Sequence, residues 1–440
     1  MTMQRFDRLL TKIPEHTWGE DTTWYLSSFL GNRSYPLGDY MNWTNNQFQK
    51  ALNSPEYKMA IESWLDQRNY LYSAMNILHN STNNIYNKLA STIENALNII
   101  KPSIPLLNEY EKVSGTPLQQ VKDNVFHCKG WTIGFNVDMS INRIRKGDPS
   151  NEQPNHLKEN KENTLLGLDQ VNIGLYTYQT LNPNDFEKFD HDYGMAYCTP
   201  ETEDAGCHNF NKPNMTSANP AHTETNPILK QLWIKRDDDN NSDTCQFQLQ
   251  GTMPSLLSTK YGAPKEIWTS LSIHTSSALK DGISLSFDIQ WFNKSATRLA
   301  EAQWITFSPN VMNPMNGWKL RGFRTELHNS KADIGIDPSM IVKHGATHLH
   351  SLGPFATIEY SENSENEKTV ILQSLDSPIV SFGLVSPFPT PGNNSKHEID
   401  PSNGMHYNIQ NNIWNVNFPQ WYPFVKEDKD ARFRFIIDLA

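Results

Sequence analysis

The sequence predicts an α+β protein in which a small N-terminal three-helix bundle is followed by a large antiparallel β-sandwich. Over the first hundred residues, apolar side chains recur every three or four positions, which is typical of amphipathic helices. From about Thr116 onward, short runs alternate apolar and polar residues between clusters of Gly, Pro and Asn, which is typical of strands. We therefore expect a helical domain over residues 1–115 and a sandwich over 116–440.

Two long helices and one shorter helix account for the predicted bundle. Ser54 followed by Pro55 indicates an N-cap and a first helical position, and a second long helix is expected from about Asn83 until two prolines end it. A shorter helix is expected over 22–30, with Asp21 as its N-cap. The apolar faces of the long helices consist of Ile61, Trp64, Leu65, Leu71, Met75 and Leu78, and of Ile85, Leu89, Ile93, Leu97 and Ile100.

The predicted sandwich is built from runs with a period of two that are rich in aromatic and branched residues. The clearest of these runs are 131–138, 173–178, 245–250, 283–291 and 432–437. Connections such as 147–163 and 201–226 carry no apolar period, so we expect long loops between the strands.

Charge and composition exclude several classes of function. The chain has 38 basic and 48 acidic residues, a net charge of −10, and no run of basic residues, so we expect no nucleic-acid partner. No apolar stretch is long enough for a membrane span, and the first ten residues carry charges where a signal peptide is apolar, so we expect no membrane contact and a cytoplasmic protein. Phosphate-binding loops, nucleophile elbows and zinc-protease helices are also absent from the sequence.

The four cysteines do not have the number or spacing of a recognisable disulfide framework. Cys128, Cys198, Cys207 and Cys245 are spaced too irregularly for a strong zinc motif. Their spacing allows a bridge between Cys198 and Cys207, but a reducing compartment is the simpler interpretation.

The first candidate for chemistry is the loop 14–21, which contains His16, Trp18, Gly19 and three carboxylates. Such a loop can present a metal ligand, His16, together with a ring that stacks on a sugar, Trp18. The alternative is a capping loop in which Asp21 starts a helix and His16 bonds to the backbone.

The second candidate is a group of three histidines, His344, His348 and His350. Their even spacing would place them on one face of a strand, where His348 and His350 could bind a metal or contact a sugar hydroxyl. A polar outward face is an equally good explanation.

Two further candidate segments, 291–304 and 411–422, combine polar groups with aromatic rings. In the first, Arg298 and Glu301 lie near two tryptophans and could bond to sugar hydroxyls, although an internal Arg–Glu pair would explain them equally well. In the second, Trp414 lies among several asparagines, which suits carbohydrate stacking or closure of the sandwich.

These segments, taken in order, resemble relatives of glycoside hydrolase family 38, the retaining α-mannosidases. The resemblance rests on the loop 14–21 and on 62–70, 261–268, 291–304, 375–383, 411–422 and 432–435. It implies a three-helix bundle and a galactose mutarotase-like super-sandwich that follow a catalytic β/α barrel.

The resemblance also implies a role for His16 as the one zinc ligand that lies at the junction of barrel and bundle. The nucleophile and the other zinc ligands of such enzymes belong to the barrel, which has no counterpart in the 440 residues, and one histidine does not make a zinc site. We therefore expect the C-terminal region of a zinc-dependent retaining glycoside hydrolase, inactive alone, with carbohydrate and a separate or upstream barrel domain as partners. Two alternatives stay open, a non-catalytic carbohydrate-binding or structural sandwich and a lyase or mutarotase that acts through histidines of the sandwich, with loss of turnover in His348→Ala as its expected signature.

Overall fold

The structure is a computed structural model. It describes residues 2–14, 19, 45–113, 125–128, 131–146, 171–189, 220–236, 245–280, 282–297, 299–309, 318–321, 349–351, 357–361, 369–388, 404–413 and 425–440. In this part of the chain, a helical N-terminal region precedes two antiparallel sheets, which confirms the predicted fold class.

The described helices include the two long ones that the sequence predicts. The N-terminal helices are α1 (Thr2–Lys12), α2 (Asn45–Ala51), α3 (Pro55–His79) and α4 (Asn84–Ile99). The Ser54 side chain accepts a hydrogen bond from the Tyr57 backbone N at 3.2 Å and so caps α3, while Asn83 caps α4. Two short helices, α5 (Pro183–Phe189) and α6 (Ser255–Lys260), and a 3₁₀ turn (Lys426–Lys429) lie within the sandwich.

Helix α1, which the sequence pattern did not predict, is held by packing. Phe6 is buried in a cluster with Ala74, Met75 and Leu78 of α3 and with Ala90 of α4. The helix predicted over 22–30 lies outside the described residues.

The sandwich contains eighteen strands among the described residues. They are β1 (Glu111–Lys112), β2 (Val125–Cys128), β3 (Trp131–Phe135), β4 (Ile141–Lys146), β5 (Asn172–Thr180), β6 (Thr223–Thr225), β7 (Ile228–Arg236), β8 (Cys245–Thr252), β9 (Glu266–Thr275), β10 (Ile283–Phe292), β11 (Glu301–Ser308), β12 (Trp318–Arg321), β13 (His350–Ser351), β14 (Thr357–Ser361), β15 (Thr369–Ser374), β16 (Ile379–Phe382), β17 (Met405–Asn412) and β18 (Ala431–Leu439). All five runs that the sequence pattern predicted to be strands contain one.

These strands form two sheets with one shared core. The first sheet has the order β1-β7-β8-β9-β10-β18-β15-β14-β12, and the second has the order β13-β16-β17-β11-β5-β4-β3-β2, with β6 paired to β5. Alternate residues of both sheets pack between them; Phe287 of β10, for example, contacts Phe307 of β11 edge to face with ring centroids 5.7 Å apart.

Three polar contacts between described residues help to join the helical region to the sandwich. Arg68 of α3 lies 2.6 Å from the Asp428 carboxylate, and the Gln49 amide of α2 donates a hydrogen bond to the Ala296 carbonyl at 2.9 Å. The Arg432 guanidinium of β18 donates a hydrogen bond to the Ile99 carbonyl at the end of α4. The first strand of the sandwich, β1, already begins before the domain boundary that the sequence predicts at 115.

One expectation about the cysteines is wrong. Cys245, the first residue of β8, is disulfide-bonded and buried, whereas the sequence analysis preferred unpaired cysteines in a reducing compartment. Within the described residues, no helix is long and apolar enough to cross a membrane.

Candidate functional site

The candidate site is built around Glu301, one of the residues selected from the sequence. Glu301 is the first residue of β11, where it pairs with Thr180 of β5 and Asn412 of β17. Its side chain is completely buried, because it points to the face of the second sheet that also carries the core residue Tyr178.

Glu301 forms an ion pair with Lys294, which lies in the loop that precedes β11. The Lys294 Nζ lies 2.7 Å and 2.8 Å from the two carboxylate oxygens, and it also donates a hydrogen bond to the Gly262 carbonyl at 3.1 Å. The Tyr178 hydroxyl donates to the same carboxylate. The carboxylate therefore anchors the chain between β10 and β11 from inside the sandwich.

Burial and charge act in opposite directions on this cluster. Burial lowers the pKa of the Lys294 ammonium, and the neighbouring Glu301 opposes that shift. Burial and Glu301 together raise the pKa of the Tyr178 hydroxyl well above its usual value, so Tyr178 stays protonated. Within the described residues, the opposite charges of Lys294 and Glu301 compensate each other in this dry environment.

The structure therefore gives Glu301 an internal partner, as one of the two sequence interpretations expected. Within the described residues this partner is Lys294. Arg298 lies outside them, so the predicted Arg298–Glu301 pair stays a prediction. A direct contact of Glu301 with sugar stays a prediction.

A glycine with a left-handed backbone lets the loop approach closely. Gly262 has a φ of +83°, and a Cβ at this position would lie 2.5 Å from the Ser295 carbonyl oxygen. The Ser295 N in turn donates to the Gly262 carbonyl at 3.2 Å. A side chain at residue 262 would separate these two segments.

The loop 14–21 reaches the same region through Gly19. A Cβ on Gly19, which has a φ of +75°, would lie 2.5 Å from Cδ1 of Trp64, so the glycine backbone lies directly against this ring. Trp64 is buried in a cluster of helical residues against which Ala296 and Val425 of the sandwich pack. His16 and Trp18, the predicted zinc ligand and stacking ring, lie outside the described residues.

The segment 411–422 reaches this region as well. The Asn412 side-chain amide donates a hydrogen bond to the Thr297 carbonyl at 3.1 Å, whereas Trp414 lies outside the described residues. Three of the four segments selected from the sequence thus meet where the helical region contacts the sandwich. We call this region the junction and define it by Trp64, Lys294, Thr297, Glu301 and Asn412.

The histidine group of the sequence analysis does not join the junction in the described part of the chain. His350 begins β13 at one edge of the second sheet, where its backbone pairs with Val380 of β16. His344 and His348 lie outside the described residues, and their predicted roles stay predictions.

Sequence reasoning missed another histidine, His406 of β17. Its Nδ1 lies 2.8 Å from the Thr306 hydroxyl of β11, and burial lowers its pKa to about 4, so the ring is neutral at pH 7. Leaving a buried polar atom unbonded costs about 1–3 kcal/mol, and among the described residues none bonds to His406 Nε2. The sequence feature that could have pointed to His406 is the strand-like alternation of Met405, Tyr407 and Ile409 with polar residues.

The described residues do not by themselves provide a zinc site. They contain no group of three or more His, Cys, Asp or Glu side chains that could hold a metal ion. His16 would therefore need ligands from other residues, and no step through zinc can be derived from the described geometry.

Comparison with known proteins gives one match to a family model. The model of DUF5054, described as a domain of unknown function, matches residues 1–280. No curated protein sequence matches the chain.

Several solved structures are distantly similar. An α-mannosidase from Enterococcus faecalis V583 is 10% identical over 74% of this chain with a TM-score of 0.35, and the chain spans only 30% of the length of that protein. A galactose mutarotase-like protein from Lactobacillus casei ATCC 334 is 8% identical with a TM-score of 0.31, over 75% of this chain and 100% of that one. At these identities and TM-scores, the likenesses assign no activity to this chain.

Proposed function

Since the chain belongs to the DUF5054 family, whose description assigns no activity, we propose a function from its own residues. It is the C-terminal, sugar-handling region of an α-mannosidase-like, zinc-dependent retaining glycoside hydrolase. Its catalytic nucleophile and most zinc ligands belong to a β/α barrel that a separate or upstream domain supplies. The chain by itself binds carbohydrate and is inactive as a hydrolase.

The observation that carries this proposal is the convergence at the junction. Gly19 contacts Trp64, and Asn412 holds Thr297, so segments that are far apart in sequence meet at one place. His16 lies three residues before Gly19, and Arg298 directly follows Thr297 in the chain. The proposal therefore brings the metal ligand His16 and the sugar contacts Trp18, Arg298 and Trp414 into one neighbourhood.

The buried ion pair has a defined task in this proposal. Lys294 and Glu301 hold together the described residues on the two sides of position 298. We propose that the Arg298 guanidinium contacts the sugar. Guanidinium groups and tryptophan rings suit sugars, because they combine hydrogen bonds to hydroxyls with stacking on the ring. A retaining mechanism also needs two carboxylates about 5–5.5 Å apart, which we assign to the barrel.

Activity measurements can test the proposal. The purified chain should not hydrolyse 4-nitrophenyl α-D-mannopyranoside with added zinc, whereas the chain joined to the barrel encoded upstream or in a partner gene should. In the active form, His16→Ala should remove zinc and activity, and His79→Ala, on the outer part of α3, should change neither. Hydrolysis by the chain alone, or an active form that is unaffected by His16→Ala, would contradict the proposal.

A second candidate is a carbohydrate-binding sandwich without catalysis. It is favoured by the pairing of Glu301 with Lys294 at the junction and of Asp428 with Arg68 where α3 contacts the sandwich. This candidate predicts that the chain binds mannose-containing glycans equally well with and without His16→Ala. The first candidate predicts weaker binding for that variant when zinc and the barrel are present.

The cellular location also belongs to the proposal. A cytoplasmic protein was expected from the sequence, but the Cys245 disulfide favours an oxidising compartment, where such bonds persist. Fractionation of the source cells, followed by thiol labelling of the endogenous protein, would decide between the two locations.

A further inference from the structure

The bonding partner of Cys245 can be inferred from the way the two sheets face each other. Cys245 begins β8, is disulfide-bonded and is buried in the core between the sheets. Phe247 and Leu249, two and four positions later in β8, belong to the same core. All three residues therefore lie on the inner face of the first sheet, and the partner of Cys245 has to reach it from inside the sandwich.

The inner face of β8 packs against β2 and β3, which lie at one end of the strand order of the second sheet. The Phe247 ring lies 5.5 Å from the Phe126 ring of β2, measured between centroids. It lies 5.1 Å from the Phe135 ring of β3. Across the core, the middle of β8 therefore faces the hairpin formed by β2 and β3.

A contact at the other end of β8 shows in which direction this strand runs past the hairpin. Gly251, four positions after Phe247, lies directly against the side chain of Met139. Met139 in turn comes four positions after Phe135. Between these two contacts, β8 therefore runs in the direction in which the chain leaves the end of β3.

A backbone hydrogen bond supports this direction. Leu229 of β7 is opposite Gly251 in the first sheet, and its N donates to the Val137 carbonyl at 2.7 Å. Val137 also lies beyond the end of β3. In the opposite direction, from Phe247 back to Cys245, β8 therefore runs toward the start of β3.

Cys128 lies beside the start of β3. It is the last residue of β2, and its backbone is opposite Trp131, the first residue of β3. Cys128 comes two positions after Phe126, so both residues occupy the inner face of β2. Cys245 comes two positions before Phe247 on the inner face of β8. We propose that Cys128 and Cys245 form a disulfide between the two sheets.

A disulfide at this place suits the architecture. Inward-facing cysteines of two packed sheets form such a bridge in immunoglobulin domains. Here the bond ties the hairpin of β2 and β3 to the first sheet. It leaves Cys198 and Cys207, which lie outside the described residues, for the bridge that their spacing allows. The pairing does not depend on zinc, on the barrel or on the proposed hydrolase.

Peptide mapping without reductant tests the pairing on the wild-type chain. The chain would be produced in an oxidising compartment, then unfolded and alkylated with N-ethylmaleimide at mildly acidic pH, where disulfides exchange slowly. Trypsin cuts the chain so that Cys128 lies in peptide 123–129, Cys245 in 237–260, and the other two cysteines in 189–230. We expect 123–129 to be linked to 237–260 until dithiothreitol is added. A bond between 237–260 and 189–230, or alkylated Cys245, would overturn the proposal.

Two variants provide a matched comparison. In Cys128→Ser, Cys245 has lost its proposed partner and should react with N-ethylmaleimide in the unfolded, unreduced chain. In Cys198→Ser, Cys245 should stay unreactive. Cys245 that is unreactive in the first variant, or reactive in the second, would contradict the pairing. The peptide map of the wild-type chain decides the question if either variant does not fold.

Discussion

The Nζ of Lys294 contacts both carboxylate oxygens of Glu301, at 2.7 Å and 2.8 Å, in a place where neither side chain is exposed to solvent. The two residues are seven positions apart and close the loop between β10 and β11 from inside. A buried pair of this kind adds little stability compared with an apolar pair, but each ion depends on the other. The pair therefore fixes the conformation of the loop that carries Arg298.

Removing one partner should destabilise the protein strongly. Lys294→Met should lower the free energy of unfolding by about 3–5 kcal/mol, because Glu301 would remain buried after losing the ammonium that contacts both of its carboxylate oxygens. Urea denaturation followed by circular dichroism would measure the loss. As a control, Lys235→Met removes a pair with the exposed Glu109, which should change stability by about 0–1 kcal/mol. The double variant Lys294→Met with Glu301→Leu should recover most of the loss, and a double variant as unstable as the single one would contradict this account.

The regular elements could be predicted from the sequence because their signals are local. Ser54 and Pro55 mark the start of α3 by their own conformational preferences, and the alternation in 283–291 follows from the pleat of β10. The partner of Glu301 could not be read in this way. Lys294 is seven positions away in sequence, and it reaches the carboxylate because of the path of the loop past Gly262, which no local pattern contains.

His406 likewise shows that a contact between residues far apart in the sequence cannot be predicted from a local pattern. The histidines between 344 and 350 were selected because they lie close together in sequence, whereas the partner of His406 is Thr306, one hundred residues away. Their contact depends on the order of β11 and β17 in the second sheet, which no local pattern contains. The convergence of three selected segments at the junction was likewise visible only after folding.

The contact between Arg68 and Asp428 should join the helical region to the sandwich energetically. Arg68→Met should lower the free energy of unfolding by about 1–3 kcal/mol, because Asp428 is largely buried and loses its charged partner. Helix unfolding, followed by far-ultraviolet circular dichroism, should then precede unfolding of the sandwich, followed by hydrogen exchange of the strand amides. Lys58→Met, at an exposed position of the same helix, should change neither signal. Unaltered stability of Arg68→Met would show that the two regions are coupled elsewhere.

The disulfide of Cys245 should contribute to stability in the oxidised protein. Cys245→Ser should lower the free energy of unfolding by about 2–4 kcal/mol, mainly because the unfolded chain regains freedom. Dithiothreitol should destabilise the wild type by a similar amount and have a much smaller effect on the variant. Mass spectrometry after alkylation without reductant gives an independent check. Alkylated Cys245 in unreduced, unfolded protein would contradict the disulfide.

The burial of His406 should make stability depend on pH in a defined window. Its pKa is about 4 in the folded chain and 6.5 when exposed, so the unfolded chain binds more protons between these values. The stability that the neutral ring provides is complete above pH 6.5 and is lost as the pH falls toward 4, by about 3 kcal/mol in total. His406→Gln, which cannot be protonated, should remove this part of the difference in urea stability between pH 7 and pH 4. His222→Gln, at a more exposed position, should retain most of it, and equal pH profiles for wild type and His406→Gln would show that the ring is not held neutral.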